Sequence, residues 1–244
     1  MDAAERARPS GPWVMVQVWH DLLFAHWPVE ASLVGPFLPA GVELDLYEGR
    51  AWIGVVPFRM SGIRARGLPP LPGLSAFPEI NVRTYGIVDG RPGVVFLSLD
   101  AANAVAVAAA RRFFHLPYRR ARMTCRRDGD GIEYHSRRED AGGAPPAEFR
   151  ARYRPTGAPY RARAGTIDGW VAERYCLYTA DRAGRAIRTD IAHEPWPLQP
   201  AAADIEVNTM AEASGVRLPD LPPLLHFARR LDVRVWLPRG LTAP

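Results

Sequence analysis

The chain has 244 residues, a formal net charge of +5 and 48% hydrophobic residues, so it can bury a sizeable core and is not a disordered chain. All 31 basic residues are arginine and none is lysine, which excludes any mechanism that forms a Schiff base on a side-chain amine. The arginines are interleaved with Asp and Glu over most of the chain, so we expect no nucleic-acid partner.

The N-terminal segment contains no apolar stretch, and residues 1–12 are predicted to form a loose tail before a single domain at 13–244. The longest run of small apolar residues, 101–110, is far shorter than the ~20 residues that a membrane helix needs. Cys125 and Cys176 lie far apart in the chain and indicate buried thiols in a reducing compartment. We therefore expect a soluble, cytoplasmic protein with no membrane partner.

Short apolar runs separated by Gly and Pro predict many strands joined by turns. In the first half, the expected elements are a strand at 14–27, a short helix at 29–38, a hairpin of 42–47 and 51–60 across Glu48-Gly49, a Gly/Pro-rich loop at 61–77, strands at 79–87 and 93–99, and a helix at 101–114 capped by Asp100. A loop as long as 61–77 is usually functional or mobile.

In the second half, the expected elements are a hairpin of 119–127 and 131–138, a loop at 141–146, a strand at 149–154, a helix at 167–174 capped by Thr166, strands at 175–179, 186–192 and 204–210, and a final edge strand at 231–237. A turn at 181–185 and a loop at 193–200 separate these strands. No repeat and no linker divides the chain. The pattern predicts an α+β fold that is mainly antiparallel β with a few helices.

The strand at 79–87 carries the most informative pattern in the sequence. Alternate side chains of a strand point to opposite faces, so Glu79, Asn81, Arg83 and Tyr85 share one face and apolar residues and Thr84 the other. If the polar face lines a cavity, Arg83 can hold an anionic group bidentately and Glu79 can act as an acid or base with a shifted pKa. The alternative is an exposed sheet face with cross-strand ion pairs.

Other chemical motifs are weak or missing. The sequence contains no HExxH, no G-x-S-x-G around Ser98, no dinucleotide fingerprint and no P-loop, so no cofactor and no metal are expected. A metal site built from His20, His26, His193 and Glu194 competes with a simpler interpretation, in which the histidines are hydrogen-bonded among aromatic residues. Cys125 lies beside arginines that can lower its pKa, although a strand cysteine more often serves packing.

Seven segments of the chain form a recognisable combination: WHDLLFAHW at 19–27, WIGVVPF at 52–58, FPEINVRTY at 77–85, FLSLDA at 96–101, LPY at 116–118, ERY at 173–175 and HEPWPLQ at 193–199. Together they resemble the YqjF-like family of uncharacterised bacterial proteins. The resemblance covers roughly residues 13–240. It implies a fold similar to acetoacetate decarboxylase, which is a β-rich barrel or prism around a closed polar central cavity.

The decarboxylase comparison also implies roles for particular residues. In that enzyme a strand glutamate precedes a helix, and the helix ends in a proline followed by two lysines, of which the first forms the Schiff base and the second depresses its pKa. Here the similar order is Glu79, a helix, and then Pro117-Tyr118-Arg119. Tyr118 would stand at the reactive amine and Arg119 at its cationic neighbour. The missing lysine excludes decarboxylation through an imine.

Two main hypotheses follow. In the first, the protein is a lyase-type or hydratase-type enzyme acting on a small carbonyl or carboxylate compound. Tyr118, with a pKa lowered by Arg119 or Arg83, and Glu79 would be catalytic, while Asn81, Arg83, Tyr85 and Arg119 would bind an anionic substrate. In the second, the same cavity binds a metabolite without catalysis. A third hypothesis uses the LPPLPGLS loop as a polyproline ligand, and homo-oligomerisation is left open.

Overall fold

Most of the chain forms β-strands, as the alternation of apolar runs with Gly and Pro predicts. The computed structural model describes residues 9–139, 143–181 and 183–241. The strands are β1 Met15–Val29, β2 Glu43–Leu44, β3 Ala51–Ala65, β4 Phe77–Val88, β5 Arg91–Ala101, β6 Tyr118–Asp128, β7 Gly131–Arg138, β8 Glu148–Pro155, β9 Cys176–Ala180, β10 Ala186–Ala192, β11 Gln199–Asn208, β12 Leu224–Val235 and β13 Arg239–Gly240.

The helices are few and short. They are α1 Ala31–Val34, α2 Ala104–Phe113 and α3 Ile167–Ala172, with 3₁₀ turns at Gly35–Phe37 and Glu212–Ser214. Most of the predicted tail, at 1–8, lies outside the described residues, as do positions 140–142 in and before the predicted loop at 141–146, position 182 in the predicted turn, and positions 242–244. No helix in the described part of the chain is long and apolar enough to cross a membrane.

The strands form one sheet that folds back on itself. Its ladders are antiparallel except that β5 pairs in parallel with both β6 and β9. Pairings run from β5 through β9, β10, β12, β1, β3 and β4 and return to β5. A second layer of strands, β6, β7, β8 and β11, joins β5 to β12 on the other side. The strands β1, β3 and β4 therefore have protein on both faces.

Burial on both faces explains the sequence of these strands. The apolar run LLFAHW at 22–27 does not alternate with polar residues, which is typical of a strand covered on both sides. Phe24 of β1 and Phe58 of β3 point into one core, whereas Leu23 and Ile53 of the same strands point into a second core. The side chains of β4 divide in the same way, with Ile80 in the second core. The polar face of β4 belongs to the first core.

The predicted hairpin at 42–60 is only partly correct. Glu48 and Gly49 form the turn with φ angles of 50° and 75°, and Tyr47 bridges to Arg50. The flanking segments do not pair further, because β3 already has β1 on one side and β4 on the other. The preceding segment instead forms β2, which pairs with β4.

Two predicted strand boundaries are wrong, because in each case pairing with a neighbouring strand makes the observed strand longer than predicted. The predicted loop at 61–77 is shorter, since β3 continues to Ala65 opposite Met15 of β1. The predicted edge strand at 231–237 is the end of β12, which runs from Leu224 and lies between β11 and β1. Sequence alone does not specify these ladders, because the pairing residues are far apart in the chain.

The helix cap at the end of β5 also differs from the prediction. Asn103 caps α2, since its side-chain oxygen accepts hydrogen bonds from the backbone N–H groups of Val105 and Ala106, both at 3.0 Å. Asp100 remains in β5, fully buried, and accepts two hydrogen bonds of 2.9 Å from the guanidinium of Arg138. The predicted cap of α3 by Thr166 is confirmed.

Candidate active site

A cavity of about 210 Å³ lies within the first core, bordered by β1, β3, β4, β5 and helix α2. Its walls are mainly apolar and include Trp19, Phe58, Phe96, Phe114 and Trp196. The polar side chains among its lining residues are Gln17, Glu79, Arg83, Tyr118, Arg174, Thr189 and His193. The central cavity that the resemblance implies is therefore present, but polarity is confined to a few side chains.

The predicted polar face of β4 is buried and does not face solvent. The exposed fractions of Glu79, Asn81, Arg83 and Tyr85 are 3%, 4%, 8% and 0%. Glu79 and Arg83 line the cavity, whereas Asn81 and Tyr85 are not among its lining residues. The alternative of a solvated face with surface ion pairs is thus wrong for these residues.

Tyr118 at the start of β6 meets Glu79 inside the cavity. The Tyr118 hydroxyl donates a hydrogen bond of 2.5 Å to Oε2 of Glu79, across 39 positions of sequence. The two strands that carry them are held in place by β5, which pairs with β4 on one side and in parallel with β6 on the other. Behind Glu79, the Tyr134 hydroxyl donates to its backbone carbonyl at 2.7 Å.

Burial controls the protonation of this pair. Loss of solvent around the carboxyl raises the pKa of Glu79 from 4.5 to about 8; the Tyr118 hydrogen bond opposes this shift and the charge of Asp100 adds to it. Burial and the neighbouring Glu79 raise the pKa of Tyr118 well above its usual value. The expectation that an arginine lowers the pKa of Tyr118 is therefore wrong: the phenol keeps its proton, and Glu79 is the group that titrates near neutrality.

Arg119 does not join this pair in the cavity. It follows Tyr118 directly in β6, so its side chain leaves the opposite face of the strand. Arg119 is half-buried and is not among the cavity-lining residues. Arg119 therefore does not lie in the cavity as a cationic neighbour of Tyr118, which is the position that the decarboxylase comparison implied.

Arg83 lies at the other end of the polar face of β4. Its Nη2 donates to the carbonyl of Val171 at 3.2 Å, near the C-terminal end of α3, where carbonyl groups lack helical partners. The same carbonyl accepts from the Tyr85 hydroxyl at 3.0 Å, and Nε2 of His26 lies 2.6 Å from that hydroxyl. Within the described residues, Arg83 forms no ion pair and its Nε has no hydrogen-bond partner.

Sequence reasoning missed a second cavity arginine, Arg174. It follows α3, is 4% exposed, and pairs through Nη1 with Asp45 at 2.5 Å, while its Nη2 has no hydrogen-bond partner in the described structure. Its guanidinium carbon lies 4.8 Å from the ring centroid of Tyr85, and that of Arg83 lies 5.7 Å from the same ring. The two guanidinium groups therefore share one end of the cavity. The sequence offered one indication of Arg174: it is a charged residue in ERY, one of the segments that carry the family resemblance.

The HEPWPLQ segment packs against the same end. The backbone N–H of Trp196 donates to Glu173 at 2.8 Å, and the Tyr175 hydroxyl donates to the other oxygen of that carboxylate. His193 stacks on Tyr175 with ring centroids 4.6 Å apart, and burial lowers its pKa, so it is neutral. The ERY and HEPWPLQ segments therefore contact each other, and this contact places Trp196 and His193 in the wall of the cavity.

Hydrogen-bond donors without partners collect in this wall. Besides Arg83 and Arg174, the buried Nε1 of Trp196 and the hydroxyl of Thr189 have no partner among the described residues. Trp196 and Arg83 both contact the ring of Phe24, whose centroid lies 4.8 Å from the Trp196 ring and 5.2 Å from the guanidinium carbon of Arg83. Buried polar groups are normally hydrogen-bonded, so this end of the cavity favours a ligand that brings acceptors.

The structure offers less support for the other candidates. Within the described segments, no three His, Cys, Asp or Glu side chains lie close enough to share a metal ion. Nε2 of His20 instead lies 2.7 Å from the Ser61 hydroxyl. Burial raises the pKa of Cys125 to about 11, so the alternative of a thiol activated by the neighbouring arginines is wrong.

Comparison with solved structures identifies the fold. The chain is similar to the enduracididine biosynthesis enzyme MppR complexed with pyruvate, with a TM-score of 0.66, 12% identity, and coverage of 99% of this chain and 95% of that chain. It is also similar to acetoacetate decarboxylase from Legionella pneumophila, with a TM-score of 0.62, 14% identity, and coverage of 98% and 94%. The predicted acetoacetate decarboxylase-like fold is therefore confirmed, and both of these similar structures are of enzymes.

Comparison of sequences identifies the family. Residues 16–232 match the family DUF2071, described as an uncharacterized conserved protein, and the chain belongs to this family. It is 48% identical over 228 residues to the uncharacterized protein YqjF of Bacillus subtilis, with 93% of each chain covered. The resemblance to YqjF-like proteins is therefore confirmed.

Proposed function

We propose that this protein is an enzyme of lyase or hydratase type that acts on an anionic carbonyl or carboxylate compound without a Schiff base. The observation that carries the proposal is the hydrogen bond between Tyr118 and Glu79 within a mainly apolar cavity. A carboxyl with a pKa of about 8 can give up and take back a proton near neutral pH, which is what a general acid or base requires.

Glu79, Tyr118 and Arg83 have different roles in the proposed reaction. Glu79 is the acid-base group: as a carboxylate it removes the proton from the carbon next to the substrate carbonyl, and the electron pair moves onto the carbonyl oxygen. Tyr118 is a positioning residue that holds Oε2 of Glu79 through its hydroxyl. Arg83, which forms no ion pair in the described structure, binds the anionic group of the substrate. The pyruvate in the MppR structure supports a small oxo acid as the first probe.

Proton exchange tests the proposal without a known product. The protein is incubated in D₂O with pyruvate, acetoacetate or 4-acetylbenzoate, and loss of the hydrogens next to the carbonyl is followed by proton NMR. We expect exchange above the buffer rate that rises as pD passes the value at which Glu79 ionises. Glu79→Gln abolishes it, Tyr118→Phe slows it and changes its pD profile, and the exposed Glu206→Gln leaves it unchanged.

Ligand-induced thermal stabilisation separates catalysis from binding. Tyr118→Phe keeps this stabilisation, whereas Arg83→Met reduces it. If no compound exchanges above the buffer rate but stabilisation still depends on Arg83, the catalytic role is refuted and the protein is a non-catalytic metabolite-binding protein. If exchange and stabilisation are both absent for every compound, the cavity assignment itself is refuted.

A further inference from the structure

The two chemical ends of the cavity are well separated along β4. Glu79 and Arg83 are four residues apart on one face of a regular strand, so their α-carbons are roughly 13 Å apart. The bulge in this region lies on β5 and not on β4, since Val82 pairs with Ser98 and Arg83 with Phe96. A ligand that reaches both ends must be elongated.

The surroundings of the two groups agree with this separation. The groups that shift the pKa of Glu79 are Tyr118 and Asp100, and Arg83 is not one of them. Arg83 instead affects His26 and Tyr85, which lie at the α3 end of the cavity. The guanidinium and the carboxyl therefore do not contact the same small group of a ligand.

The wall between the two ends is aromatic. Trp19 stacks on Trp196 with ring centroids 5.9 Å apart and meets Phe58 edge-on at 5.8 Å. Phe96 and Phe114 also line the cavity. An apolar cavity of about 150 Å³ accommodates benzene. The cavity here, at about 210 Å³, has room for an aromatic ring with a polar group at each end.

The arginine end is suited to one carboxylate. Arg174 already has Asp45 as its ion-pair partner, whereas Arg83 has no carboxylate partner within the described residues. The nearby Glu173 does not line the cavity, and both of its oxygens already accept hydrogen bonds. The free donors, on Arg83, Arg174 and Trp196, match the acceptor-only oxygens of a carboxylate.

We propose that the ligand is an aryl monocarboxylate that carries a carbonyl group at the far end of its ring. Its carboxylate accepts hydrogen bonds from Arg83, Arg174 and Trp196, its ring lies against Trp19 and the neighbouring aromatic side chains, and its carbonyl reaches Glu79. This inference rests on the proposed function, because it assigns the substrate class of the same cavity.

Calorimetric titration with four probes tests the substrate class. The probes are 4-acetylbenzoate, benzoate without the carbonyl, acetophenone without the carboxylate, and pyruvate without the ring. We expect 4-acetylbenzoate to bind about tenfold or more tightly than each of the other three, because each of them lacks one interaction: the carbonyl contact, the hydrogen bonds of the carboxylate to charged groups, or the burial of the ring. Pyruvate binding that equals or exceeds 4-acetylbenzoate binding overturns the inference and leaves the proposed function standing.

Variants test which residues hold the carboxylate. Arg174→Met is expected to weaken 4-acetylbenzoate about tenfold and to leave acetophenone unchanged. Trp196→Phe keeps an aromatic ring, although a smaller one, and removes the free N–H. It therefore tests the same carboxylate even if Arg174→Met does not fold, and it should weaken 4-acetylbenzoate binding severalfold. The exposed Arg152→Met is the matched control and should have no effect. The inference is overturned if Trp196→Phe binds 4-acetylbenzoate as tightly as the wild type does and Arg174→Met either binds it equally tightly or does not fold.

Discussion

At neutral pH the Glu79 carboxyl holds a proton that an exposed glutamate would have released. The cause is burial in a mainly apolar wall, where the charged form loses its hydration. The hydrogen bond from Tyr118 reduces this cost but does not remove it. The protonation of Glu79 at neutral pH is therefore set by its surroundings.

The protonation of Glu79 makes stability depend on pH. The unfolded chain releases this proton near pH 4.5, whereas the folded protein holds it up to about pH 8. The contribution of Glu79 to the free energy of unfolding is therefore fully present below pH 4.5 and is lost as the pH rises to about 8. The Glu79→Gln variant has no ionisable group at this position and should not show this loss.

Denaturant titrations at a series of pH values between 4 and 9 measure the effect. The difference in free energy of unfolding between Glu79→Gln and the wild type should change in favour of the variant across that window. Glu206→Gln, at an exposed position, provides the baseline. Parallel curves for Glu79→Gln and the wild type would show that the carboxyl is ionised in the folded protein at neutral pH.

The element that closes one side of the cavity is α2. Ala106, Ala109 and Ala110 of this helix line the cavity, and the cap residue Asn103 also donates through Nδ2 to the carbonyl of Gly73 at 3.1 Å. The cap thus connects α2 to the Gly/Pro-rich loop that follows β3. The Asn103 side chain therefore stabilises both the start of α2 and the loop that contains Gly73.

Substitution of Asn103 should weaken α2. Asn103→Ala removes the acceptor for two backbone N–H groups and should lower the free energy of unfolding by about 1 kcal/mol. Asn103→Asp keeps the acceptor but removes the donor to Gly73, so it should restore most of the stability. Urea titration of both variants measures the difference, and equal losses in the two would indicate that the loop contact, not the cap, is responsible.

On the scale of the whole molecule, the absence of lysine is the strongest chemical constraint. A Schiff base needs a primary amine, and no side chain of this protein supplies one. After incubation with pyruvate and sodium borohydride, the intact mass should not increase except through the α-amino group of the chain. Proton exchange by the treated protein should equal that of an untreated sample. Loss of exchange after borohydride treatment would contradict the proposed acid-base route.

The sequence predicted the elements better than their connections. Strands such as β4, β6 and β7 follow local patterns of alternation and turn residues, so their positions were predictable. The pairing of β2 with β4 and the interior position of β12 were not, because a ladder is formed by residues distant in the chain. The polar face of β4 was predictable for the same local reason, since side chains alternate along any strand.

Three conclusions needed no coordinates: Glu79 and Arg83 share a face of one strand, no Schiff base can form on a side chain, and the chain resembles YqjF-like proteins. The packing of distant segments was needed to know that this face is buried, that Tyr118 meets Glu79 while Arg119 does not line the cavity, and that Arg174 and Arg83 contact the same ring. The physical reason is that alternation along a strand is local. Desolvation, which sets the pKa of a carboxyl, depends on every segment that packs over it.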